Sequence, residues 1–204
     1  EGGPFYYEVT EVWTSGERTV FNNQIRLPTA AAQPGRTYRA RVRMKDATGR
    51  WSRWSPAVQF VAGTPDVSAF TSSLVISEFM YQPAPVTPAE FAAGFSTEDF
   101  EFIEVRNVGG TSLDLTDVRF TKGVDFDFPP GFSLAAGAAT VVVKNEAAFL
   151  MRYGNGLPVA GSYGPDSLKN EGELVRLSYG AGTPIREFVY SPLEPWPAGT
   201  NGSG

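Results

Sequence analysis

Strict two-residue alternation of apolar and polar side chains is the feature that most constrains this chain, because it recurs in almost every segment. It is cleanest over residues 37–45. Tyr38, Ala40, Val42 and Met44 face one way there, and Arg39, Arg41, Arg43 and Lys45 face the other. A period of two is that of a pleated strand, and one apolar face per strand has to be buried against another layer. The 22 glycines and 16 prolines punctuate the chain every few residues, which favours short strands joined by turns. Strands are also expected at 5–13 and 19–27. Only residues 146–153 repeat with a helical period, with Ala147, Phe149 or Leu150, and Tyr153 on the inner face. These patterns predict an all-β chain of two sheet-on-sheet sandwich units in tandem, with one short helix.

Charge places the boundary between the units. Residues 1–63 hold nine Lys/Arg against five Asp/Glu, a net of +4, whereas residues 64–204 hold eight against seventeen, a net of −9. A sign change of this kind marks a domain limit. The small, polar stretch 63–73 reads as a linker, which leaves a first unit at 1–62 and a second at 74–204. The acidic larger half argues against nucleic acid as a partner. No apolar run approaches the roughly 20 residues that span a bilayer, so no membrane insertion is expected.

The chain contains neither Cys nor His. Disulfides, thiolate sites, His-ligated metals and Ser-His or Cys-His relays are therefore impossible within it. What remains are carboxylates, grouped at Glu98, Asp99, Glu101 and Glu104, and at Asp114 and Asp117 with Asp125 and Asp127. Asp125 and Asp127 alternate with Val124, Phe126 and Phe128, as the solvated face of an amphipathic strand does. No Asp-x-Asp-x-Asp-Gly loop offers clustered oxygens for calcium. The glycine pairs at 154/156 and 180/182 lack the following helix that a phosphate cradle needs. The chain is expected to be no enzyme and to carry no cofactor.

In the second unit, one segment organises the rest. Residues 74–80 place Val75, Ser77 and Phe79 on one face and Leu74, Ile76, Glu78 and Met80 on the other. A proline-rich loop over 82–99 follows, with room for a single helical turn, and Phe91 and Phe95 are expected to pin it to the sandwich. Residues 101–107 then set Ile103 and Val105 against Phe102 and Glu104. Leu113, Leu115, Val118 and Phe120 read as core. The pair Val75-Ile76-Ser77-Glu78-Phe79-Met80-Tyr81 and Glu101-Phe102-Ile103-Glu104-Val105-Arg106-Asn107 resembles the opening of a bacterial lamin-tail domain. The resemblance implies an immunoglobulin-like sandwich in which Glu101, Glu104 and Asn107 form a structural signature.

The first unit resembles the later strands of a fibronectin type III module. Residues 38–42 match that family's tyrosine-corner strand, and Trp51-Ser52-Arg53-Trp54-Ser55 matches the Trp-Ser-x-Trp-Ser box of its cytokine-receptor members. Alternate spacing puts Arg39, Arg41 and Arg43 on one face, about 7 Å apart. The resemblance implies a ladder in which these arginines interleave with Trp51 and Trp54, each stack contributing about 0.5–2 kcal/mol. On both resemblances the first unit lacks its first strands and the second its last. The exposed edge, including residues 185–190, would then pair with other domains of a parent protein or with another chain by strand addition.

Lamin-tail-like tandems of this kind occur in large exported bacterial proteins beside CotH-like kinase domains. The expectation is thus a non-catalytic structural or adhesion module of a secreted or cell-surface protein. Two alternatives stand beside it. One is a carbohydrate-binding accessory module, with Trp51, Trp54, Tyr163 and Trp196 as stacking rings and a polysaccharide as partner. The other is a calcium-stiffened spacer. Rings clasped by arginines would favour scaffolding over sugar binding.

Overall fold

The computed structural model describes residues 11–20, 25, 27–28 and 31–193. Most of the strand expected at 5–13, part of that at 19–27, and Trp196 lie outside these residues. The chain divides into two compact units, Glu1–Pro65 and Asp66–Gly204.

In the first unit, β1 (Thr37–Ala40) pairs antiparallel with β2 (Val58–Val61), in a register that sets Tyr38 against Phe60 and Arg39 against Gln59. The hairpin tip is an Asp46 turn. Its Oδ1 accepts from the backbone N–H groups of Thr48 and Arg50, both 2.9 Å. Gly49 supplies the positive φ of 86° that the turn requires. Between tip and β2 the return strand departs from regular pairing, with one isolated bridge at Lys45 and Trp51. Ser52 and Ser55 N–H still reach Met44 and Val42 carbonyls at 2.8 Å. In the other direction the serine hydroxyls act as acceptors, Ser52 Oγ from Met44 N–H and Ser55 Oγ from Val42 N–H. The box thus satisfies the neighbouring strand with side chains as well as backbone.

The second unit opens with α1 (Ser68–Ser73). This corrects the expected linker, whose last six residues are helical. Asp66 Oδ1 accepts from Ser68 N–H, Val67 and Phe70 pack on the core, and the Phe70 ring stacks on Tyr179 at 5.4 Å. Then come β3 (Leu74–Met80), α2 (Pro88–Ala92), a 3-10 turn (Thr97–Phe100), β4 (Phe102–Asn107), β5 (Leu113–Asp114) and β6 (Val118–Lys122). β7 (Phe126–Asp127), β8 (Ser133–Leu134), β9 (Ala139–Val143), α3 (Glu146–Tyr153), β10 (Val159–Ser162), β11 (Leu174–Tyr179) and β12 (Thr183–Val189) complete it. Two four-stranded sheets, β10-β9-β4-β3 and β12-β11-β6-β7, share one buried apolar cluster, and β5 pairs with β8. The chain is all-β with few helices, and its second unit is an immunoglobulin-like sandwich. Among the described residues no helix is long and apolar enough to cross a membrane.

Four details differ from the sequence reading. β10 runs parallel to β9, because α3 carries the chain back across the sheet between them. β3 carries a bulge between Ile76 and Glu78. One extra residue inverts the alternation, so Leu74, Ile76 and Phe79 all join the main core, while Met80 packs with Phe102 on the opposite face. Ile185 of β12 and Tyr190 just after it are buried, so of the expected exposed row Val189 is the apolar residue left outside. On α3, Ala148 and Phe149 are the buried positions, whereas Leu150 and Tyr153 are partly exposed. Asn145 Oδ1 caps this helix from Ala148 N–H, and the cap sets its rotation.

Candidate functional site

In the first unit the functional candidate is the indole–guanidinium box. Arg43 Cζ lies 4.5 Å from the centroids of both Trp51 and Trp54. Lys45 Nζ lies 5.4 Å from Trp51 and pairs with Glu17 at 2.9 Å. Arg39 Nε donates to Gln59 Oε1 at 3.3 Å on the paired strand. Arg41 stands between Arg39 and Arg43 in the alternate row and is exposed. Trp51 and Trp54 remain 42% and 51% exposed. The Arg43 guanidinium thus lies over both rings, which engages the indoles in a stack with this strand.

Of the three residues expected as a signature, Glu104 and Asn107 lie on β4 and Glu101 just before it, and each has a defined structural task. Asn107 is buried. Its Nδ2 donates to the carbonyls of Thr111, Leu134 and Ala135 at 2.8, 3.0 and 3.1 Å, and its Oδ1 accepts from Gly109 N–H at 2.9 Å. One amide thus ties the end of β4 to the turn after it and to the segment after β8. Glu104 is buried on the other face, where Ser77 Oγ donates to its Oε1 at 2.5 Å. The β3 bulge is what brings Ser77 there.

Glu101 is the most unusual titratable group. It is buried, and its Oε2 accepts from Leu168 N–H at 2.9 Å and Tyr163 O–H at 3.2 Å. Burial pushes its carboxyl up to about 7, against the pull of Leu168 N–H, the Lys144 charge and Tyr163. Burial, followed by this carboxylate, likewise pushes the Tyr163 phenol up. Tyr163 is thus a core residue. Its inclusion among sugar-stacking rings is corrected, because its hydroxyl is needed inside.

The 82–99 loop is held by a pair that the sequence does not announce. Glu90 closes a capping box with Thr87 at the start of α2 and is clamped by Arg152 of α3, whose Nε and Nη2 both donate at 2.8 Å. Arg152 Nη1 donates to Ala84 O at 3.0 Å, and Cζ sits 3.4 Å over the Phe100 ring. The Arg152 hydrogen bond, with Thr87 N–H, holds the Glu90 carboxyl down at about 2. Phe95 meets Phe100 edge-on at 5.9 Å, but Phe91 is 72% exposed and pins nothing. Only the turn of α2, with its Thr–Glu spacing, was open to detection beforehand.

Other candidate carboxylates have structural partners too. Asp99 Oδ2 accepts from Ser96 N–H at 2.8 Å, and Asp114 Oδ1 closes a turn onto Thr116 N–H at 2.9 Å. Arg119 reaches Asp125 at 3.4 Å and Asp127 at 2.8 Å. Among the described residues, no group of three or more acidic side chains is placed to hold a metal ion. Glu101 turns toward Tyr163 of the main core, whereas Glu104 alternates with the core residues Ile103 and Val105 and shares the face of Phe102. They do not converge on one cleft as paired catalytic carboxylates would.

The family model described as the Lamin Tail Domain matches residues 68–191. No curated protein matches the chain.

Proposed function

The chain belongs to the lamin tail domain family, and from that premise we propose that it is a non-catalytic structural and adhesive module of a larger secreted or cell-surface bacterial protein. The family is an immunoglobulin-like structural and interaction fold, which carries the coarser half of this reading. The observation that supports it most is how the three residues expected as a signature are employed. Asn107, Glu104 and Glu101 are buried and bonded to the protein itself, so these three polar groups are spent on holding the fold.

Adjacent modules of the parent protein are the partners this reading calls for, including a fibronectin type III-like context for the first unit. Its support there is the Trp-Ser box with Arg43 clasped by two indoles. The exposed Val42 and Met44 beyond β1, and Val58 on β2, suit contact with further polypeptide, supplied in sequence or by strand addition. The test is immunolabelling of intact cells of the source organism with antibodies against this chain. Surface labelling, removed by external protease, is the expected result. Recovery of the antigen solely inside intact cells would overturn the exported role.

A further inference from the structure

We infer that the guanidinium row of the first unit binds an acidic polysaccharide, through carboxylate or sulfate groups repeated along the glycan. Arg43 is held at 4.5 Å from two indoles, so its planar fork is oriented before any ligand arrives. Preorganisation of this kind lowers the ordering cost that a flexible surface arginine would incur on binding. Among the described residues Arg43 and Arg53 have no carboxylate partner, while Lys45 is taken by Glu17. Arg39 and Arg41 extend the same row at alternate positions, about 7 Å apart. The net +4 of residues 1–63 already counts every acid there, and the remaining chain carries −9. Net charge therefore favours a polyanion on the first unit over the second. With the indoles engaged by Arg43, what the strip offers is N–H edges rather than free ring faces. That suits sulfate and carboxylate, and it suits neither neutral sugars nor the bases of a single strand, which need open rings.

The inference deepens the adhesive part of the reading above and rests on it. Its failure would remove the glycan partner and leave the cell-labelling result untouched. The experiment titrates the full chain with fluorescent dextran sulfate and polygalacturonate at about 50 and about 200 mM salt. Neutral dextran serves as competitor and a single-stranded oligonucleotide as a parallel probe. At least one polyanion should bind at low salt and weaken about tenfold or more at high salt. Arg43→Gln and Arg41→Gln should each weaken it about fivefold or more, with Lys169→Gln on the second unit within twofold. If Arg43→Gln unfolds the first unit, Arg41→Gln and Arg53→Gln decide. Four results would each overturn the inference: no binding of either polyanion, competition by neutral dextran, equal affinity for the oligonucleotide, or equal loss in Lys169→Gln.

Discussion

Val42, Met44, Val58 and Phe60 of the first unit are between 39% and 65% exposed, while Val118, Phe120, Val142 and Leu177 of the second are at 0%. Apart from Val142, which lies in the continuous apolar run of β9, both sets come from segments with the same alternating pattern. In the second unit, two sheets contribute to one apolar cluster. In the first, the described strands are a pair of four residues each, held by backbone bonds, serine hydroxyls and a clasped arginine. The comparison teaches that alternation specifies which face is apolar and leaves open whether anything covers it. It also separates two ways of holding a strand, by burial in one unit and by surface stacking in the other. Burial removes area from water at about 25 cal/mol per Å², and a few stacks do not match that over a whole face.

Substitutions can break or sharpen this contrast. The largest effect is expected from Asn107→Ala. It strands the Gly109 N–H and three carbonyls inside the second unit, at a cost of about 4 kcal/mol. Urea unfolding followed by hydrogen exchange should show protection lost over residues 66–193 and kept at β1 and β2. Equal loss in both units would mean that they unfold as one, and the contrast would fall. Next comes Gly172→Ala. Gly172 has φ +98°, and an added Cβ would stand 2.3 Å from Tyr190 O, so a loss of about 2–3 kcal/mol is expected in the same assay.

The third effect is a pH profile that belongs to the second unit. Glu101 titrates at about 7 in the fold against 4.5 in a free chain, so between those values the folded state holds a proton that the unfolded state has released. Its contribution is present below pH 4.5 and is lost as pH rises to about 7. Glu90, held at about 2, has the opposite sign: its contribution is present above pH 4.5 and lost as pH falls toward 2. Thermal melts of the second unit should therefore peak near pH 4.5. Glu101→Gln should flatten the upper limb and spare the lower, and a melt that keeps its decline to pH 7 in this variant would contradict the assignment. The smallest effect is on the first unit. Arg43→Ala should cost it about 1 kcal/mol and shift the fluorescence of Trp51 and Trp54, with Arg43→Lys milder. No change in either variant would show that the clasp holds nothing.

Much of the second unit was legible locally. Leu113, Leu115, Val118 and Phe120 are buried as their spacing requires, and helix 146–153 stands where the helical period places it. The candidate site was less so. Glu90 and Arg152 lie 62 residues apart, and nothing near either names the other. Phe91 looked like an anchor because it is aromatic, yet the capping box turns it outward beside the clamped Glu90. The sugar-stacking role of Tyr163 failed for a related reason, since its hydroxyl finds Glu101, 62 residues away in sequence, at the end of the same sheet.

By itself the sequence determined the strand period, the apolar faces, the absence of His and Cys chemistry, and the row of arginines opposite the Trp-Ser box. These follow from the pleat and from residue type, and neither depends on distant chain. Tertiary structure alone decided the phase of β3 past its Ser77 bulge, the parallel seat of β10, the helix at 68–73, and the raised titration of Glu101. Each depends on what packs against the segment. A one-residue slip reverses every face after it, and a carboxyl's charge state is set by the water it loses, which only the folded neighbours determine.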